Sequence, residues 1–133
     1  FMLARFRKTG GFIQLLQLIE TCEPAKQKNL FHLVATEDPG WAVLIKQKSL
    51  SFEKIVEWPL DVFFELTPHL PDRILAVCIA RTPAHHQQKW WTAIDQRRVK
   101  EIETSLKTMP ANPEEKIAAG IKLIQLVREL QSQ

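Results

Sequence analysis

The sequence predicts an all-α fold of short packed helices, a helical-repeat pair followed by a small bundle. Three observations carry this expectation. Four glycines (Gly10, Gly11, Gly40, Gly120) among 133 residues are too few for the tight turns of a many-stranded β protein. The eight prolines are spread evenly, and three follow a capping residue, at Asp38-Pro39, Thr82-Pro83 and Asn112-Pro113. Proline suits the first helical turn, where its missing N–H would be unpaired anyway, and the residue before it can accept a bond from the orphan N–H groups. Between these marks the apolar residues recur at helical spacing.

Taken in order, Gly10-Gly11 opens a strongly apolar stretch of Phe12, Ile13, Leu15, Leu16, Leu18 and Ile19. Pro24 starts a second helix carrying Leu30, Phe31, Leu33 and Val34. Asp38 caps a third, with Trp41, Leu44 and Ile45 at i, i+3 and i+4. A short turn follows around Ser51, Phe52, Ile55 and Val56, and Pro59 opens Leu60, Val62, Phe63, Phe64 and Leu66. The two prolines within Thr67 to Pro71 predict a hinge between sub-domains. Helices are then expected over Pro71–Ala80, Pro83–Ala93, Asp95 to about Lys107, and from Pro113 onward. The last has Asn112 at its N-cap and Glu115 three residues on, a capping-box arrangement. The organisation expected is 10–48 as a helical unit, 49–70 as hinge and connecting helices, and 71–133 as a bundle.

Composition supports this and leaves little chemistry. Hydrophobic residues make up 45% and charged ones 25%, which with this length suits one compact domain with a core that needs no staples. Cys22 and Cys78 fit neither a disulfide scaffold nor a zinc pair and read as free buried thiols. No apolar run approaches the ~18 residues of a membrane span. Phe1 to Phe6 is too short and interrupted for a signal peptide, so neither secretion nor membrane insertion is expected. The four glycines write no phosphate-cradling loop. His85-His86 would point apart on a helix and reads as an exposed polar pair, not a metal site. His32 reads as packed among Leu30, Phe31, Leu33 and Val34, and Cys78 as core. Ser49 and Ser51 read as caps, and Glu114-Glu115 as first-turn acids placed by the helix dipole. No catalytic residue, cofactor or metal is expected, and no enzyme.

Charge shows one asymmetry. Residues 1–66 hold eight Lys/Arg and eight Asp/Glu, whereas residues 67–133 hold ten and seven. The excess lies between Arg73 and Lys107, with Lys89, Arg97, Arg98 and Lys100, and could meet nucleic acid. Asp95, Glu101 and Glu103 interrupt it, and Arg97 can pair with Glu101 at i, i+4, so a protein-docking face is the better reading. Of the adjacent Trp90 and Trp91, at most one can point squarely into a core.

Several stretches together resemble a known family. These are Gly10-Gly11 before an apolar helix, Glu37-Asp38-Pro39-Gly40-Trp41-Ala42, and the run Ile45-Lys46-Gln47-Lys48-Ser49-Leu50-Ser51-Phe52-Glu53-Lys54-Ile55-Val56. Further on come Ile94-Asp95-Gln96-Arg97-Arg98 and Leu126-Val127-Arg128-Glu129-Leu130. Their order and spacing resemble the C-terminal region of the flagellar motor switch protein FliG. The resemblance implies a superhelical all-α chain: an armadillo-like unit, a Met-Phe-x-Phe hinge and a six-helix bundle with a charged, stator-facing helix. It implies a non-enzymatic rotor protein at the cytoplasmic face of the inner membrane. Its partners would be a FliM-like protein, further copies of itself and the stator cytoplasmic loop.

The implied partner-binding residues are Arg97, Lys100, Glu101 and Glu103 on the charged helix, with Leu50 and Phe52 at the hinge. The hinge keeps only its last phenylalanine, reading Ser49-Leu50-Ser51-Phe52. Arg97 matches a family arginine, but the two consecutive acids fall on Thr104 and Ser105, and a family lysine falls on Ile79 or Ala80. The Gly-Pro-x-Arg turn becomes Met109-Pro110-Ala111-Asn112. The expectation is a FliG-like scaffold whose torque charges are mostly lost. No stretch of this sequence resembles the family's middle and N-terminal domains, and Met2 is a candidate start that would make the chain free-standing. The alternatives are a regulatory helical domain of the MgtE type and a nucleic-acid-binding helical module.

Overall fold

The computed structural model describes residues 2–133; Phe1, included in the N-terminal reading above, lies outside them. Among the described residues there are helices and no strand. The chain divides into two compact units, Phe1–Leu50 and Ser51–Gln133.

The first unit begins with a 3-10 turn, Met2–Phe6, followed by α1 (Gly11–Thr21), α2 (Pro24–Glu37) and α3 (Pro39–Lys48). Gly10 stands before α1 in the left-handed region, at φ 79°, where a side chain would be strained. Gly11 is needed for space: a Cβ there would lie 1.8 Å from the Phe6 carbonyl oxygen. Leu15, Leu16 and Ile19 face inward from α1 and meet Leu3, Phe6, Val34, Ala42 and Ile45 in one core. Phe12 packs edge-on against Trp41, with centroids 5.4 Å apart. Asp38 caps α3 as expected, its Oδ1 accepting the Trp41 N–H at 3.1 Å, while its Oδ2 accepts from Arg7 at 2.8 Å. One carboxylate thus starts a helix and ties down the N-terminal segment.

The second unit holds α4 (Phe52–Val56), α5 (Leu60–Leu66), a 3-10 turn Thr67–His69, and α6 (Asp72–Arg81). A further 3-10 turn, Ala84–His86, leads to α7 (Gln87–Ala93), α8 (Gln96–Thr108) and α9 (Pro113–Gln131). The run Leu75–Ile79 on α6 is buried on every side, because α8 and α9 both pack on that helix. α5 packs on α7 through Phe63 and Trp90, whose ring centroids are 4.6 Å apart. Trp90 is fully buried with its indole N–H donating to Thr82 at 2.9 Å, whereas Trp91 is half-buried.

Several expectations change. The division falls between Leu50 and Ser51, so the span 49–70 is divided and the two-proline segment lies inside the second unit. Thr67 and Leu70 are buried, the Thr67 hydroxyl donates to the Ala93 carbonyl at 3.1 Å, and Arg98 donates to the Thr67 and Leu70 carbonyls. Prolines remove N–H donors from this segment, and a distant guanidinium satisfies its acceptors, so bonds tie it into the second unit where a hinge was expected. Thr82 does not start the next helix: its hydroxyl donates back to the Cys78 carbonyl, and Pro83 opens a 3-10 turn before α7. Asn112 caps α9, but Glu115 is drawn to Arg73 and does not complete a capping box. Cys22 is half-exposed, not buried, and His32 is exposed on the outer side of α2.

Candidate protein-docking site

α8 is an amphipathic helix. Ile102 is fully buried and Val99, Leu106 and Arg98 are half-buried on its inner side, while Arg97, Lys100, Glu101 and Thr104 lie exposed three, four and seven residues apart on the outer side. Glu103 and Lys107 are also exposed. Arg97 is the most exposed side chain of any ion pair described, at 89%. Its partner is Asp95, not Glu101: Nη2 lies 3.0 Å from Oδ2 and Nε 3.3 Å from Oδ1, and the same Oδ1 accepts the Arg97 N–H. The reason is geometric. Helical side chains lean toward the N-terminus, and there the N-cap carboxylate waits. The Arg97 hydrogen bond holds the Asp95 carboxyl below the usual carboxylate range.

Residues at the family's charge positions have other employment. Ser105 is half-buried and its hydroxyl accepts from Arg73 Nη1 at 3.0 Å, so it serves packing. Thr104 is exposed and donates to the Lys100 carbonyl. Ile79 is core and Ala80 exposed. Phe52 is 3% exposed, with the Arg81 guanidinium 4.4 Å over its ring. Leu50 is half-buried, and its N–H donates to the buried Glu20 carboxylate of α1.

The basic stretch is mostly consumed inside the second unit, which sequence spacing did not reveal. Arg73 makes a bidentate pair with Glu115 at 3.0 and 2.9 Å and donates to the Met109 carbonyl at 2.7 Å. Arg81 donates to the Lys116 carbonyl and pairs with Glu53. Arg98 pairs with Asp72 at 2.7 Å besides its carbonyl bonds, and Lys89 donates to the Val56 and Trp58 carbonyls. Arg73 and Lys89 reach carbonyls at the C-terminal ends of α8 and α4, Met109 and Val56, where intrahelical partners run out. A signal was available: these residues stand near helix termini, not on one continuous helical stripe.

The remaining candidates separate cleanly. His85 and His86 stack with centroids 4.1 Å apart in a 3-10 turn, beside a cleft of about 400 Å³ that also holds Phe52, Val56 and Glu57. Desolvation, helped by the charges of His85 and Lys89, lowers the His86 pKa. Burial pushes the Cys78 thiol up to about 12, so it is unreactive at neutral pH. Among the described residues no three His, Cys, Asp or Glu side chains converge as a metal site would require. Among the described residues no helix is long and apolar enough to cross a membrane. In the first unit, Ile19 and Phe31 line a cleft of about 280 Å³ with Lys28 and Lys46 beside it. Leu16 is core, Leu30 and Trp41 are half-buried, and Leu44 is exposed next to Val43.

Compared by sequence, the chain matches no family model and no curated protein. Compared by structure, it is similar to full-length FliG from Aquifex aeolicus, with a TM-score of 0.58 and 18% identity over 92% of this chain. The match spans 39% of that protein. The likeness establishes a FliG-like, all-α fold for this chain.

Proposed function

We propose that the chain is a non-enzymatic assembly protein of the flagellar rotor, a FliG-like scaffold that has kept the packing skeleton and lost most of the torque charges. The observation that carries this is the fold likeness over 92% of the chain, joined to the ordered sequence resemblance through both units. The exposed face of α8, with Arg97, Lys100, Glu101 and Glu103, is the proposed contact for an acidic or mixed-charge partner such as a stator loop. The cleft beside Ile19 and Phe31, with the exposed Val43 and Leu44, is the proposed seat of a FliM-like protein or a further copy. The nucleic-acid reading loses support because Arg73, Arg81, Lys89 and Arg98 are committed to internal acceptors.

The test is co-purification of the full chain with a FliM-like rotor protein and, separately, with a stator cytoplasmic loop. Retention of either, with Arg97→Glu weakening the stator arm mainly through slower, salt-dependent association, supports the proposal. Retention of neither, together with a mobility shift of duplex DNA at low and moderate salt, overturns it.

A further inference from the structure

We infer that the outer face of α5 is a docking surface for a cationic amphipathic helix of another protein. The inference goes beyond the rotor reading and rests on α5 alone. Leu60 is 37% and Phe64 52% exposed, and their spacing of four puts them on one face, with the exposed Pro68 next in line on the following 3-10 turn. The opposite face, Phe63 and Leu66, is buried, so this helix carries apolar side chains on both sides of a short, well-anchored rod.

Single exposed apolar residues need no explanation. The border does. Asp61 and Glu65 follow Leu60 and Phe64 directly, both are exposed, and neither has an ion-pair partner among the described residues. Asp61 lies in the first turn, where the helix dipole favours it, but Glu65 lies in the last turn, where the dipole opposes it. No Lys or Arg occurs between Ile55 and Asp72. Lys89 reaches this region on its inner side, at the Val56 and Trp58 carbonyls and the Phe63 ring. An apolar pair fenced by free carboxylates repels nucleic acid and anionic lipid and attracts cations. α5 is a helix and so presents no strand edge to which a strand could be added. A ridge at i, i+4 instead accepts the ridge of a second helix.

The probe is a fluorescent peptide of about 18 residues, five helical turns, with Leu at helical spacing and Lys elsewhere, read by anisotropy against the full chain. A scrambled peptide of equal composition is the control. Saturable binding of the amphipathic peptide alone is expected, at least tenfold weaker for Phe64→Ser. The Asp61→Asn, Glu65→Gln pair should weaken it several-fold and flatten its dependence on salt between about 50 and 300 mM. Ile13→Ser, at another exposed apolar side chain, should leave it unchanged. Glu65→Lys repeats the reading should Phe64→Ser alter the melting temperature. Equal binding of the scrambled peptide, or full affinity in Phe64→Ser and Glu65→Lys, overturns the inference. So does a self-association in sedimentation that Phe64→Ser abolishes, since the occupant is then a second copy.

Discussion

Arg97 and Arg98 are neighbours with opposite fates. Arg97 stands in solvent against Asp95, whereas Arg98 turns inward to Asp72 and two carbonyls. Replacing Arg98 by Ala strands those acceptors and should cost about 3 kcal/mol. Lys in its place should recover only a minor part, because an ammonium cannot reproduce the planar fork. Arg97→Ala should leave the melting temperature almost unchanged. Denaturant titration of the three variants checks both statements. The pH dependence follows from groups that hold fewer protons folded than unfolded. Hydrogen bonds lower Asp38, Asp95 and Glu115, and desolvation lowers His86. Each therefore adds stability above its usual pKa, and that stability is lost as the pH falls. For the carboxylates the loss comes at acid pH, and for His86 it begins near the ordinary value of about 6.5. The melting temperature should fall between about pH 8 and 5.5, and it should fall less in His86→Gln.

At the scale of elements, the helix starts were legible because they are local. Asp38, Ser51 and Asn112 each accept the N–H group three residues ahead, a pattern that sequence spells out directly. The segment Thr67–Pro71 was not legible. Its rigidity comes from Arg98, some thirty residues on, and no local pattern reports such a bond. The exposed face of α8 could be read from spacing, yet the pairing of Arg97 could not, since Asp95 and Glu101 compete and only the cap geometry decides. Leu60 and Phe64 escaped notice because an apolar run of five residues does not say which of them face outward. The same scale gives a contrast between two glycines. Gly11→Ala drives a methyl into the Phe6 backbone and should loosen the entire Met2–Phe6 turn. Gly120→Ala meets the tip of Arg81, a flexible side chain that gives up its bond to the Lys116 carbonyl but needs no backbone shift, and should cost less. Thermal melts of the two variants decide this.

At the scale of the whole chain, each unit has its own core, but they differ in depth. The second is built around a helix buried on every side over Leu75–Ile79, while the first relies on eight buried apolar side chains beneath many exposed ones. The slowest amide hydrogen exchange should therefore map to α6 and α9, and the first unit should exchange through lower-energy openings. Uniform protection across both units would contradict this. The clamping of helix ends by Arg73, Arg81 and Arg98 has a consequence for how the protein meets denaturants. Guanidinium chloride is a free form of the very head group that holds these carbonyls and carboxylates, and it also screens charge; urea does neither. For ordinary domains the urea midpoint is about twice that in guanidinium chloride, since the latter is roughly twice as effective per mole. Here competition and area act together, so the ratio should stand well above two, and it should fall toward the ordinary value when Arg73 is replaced by Leu.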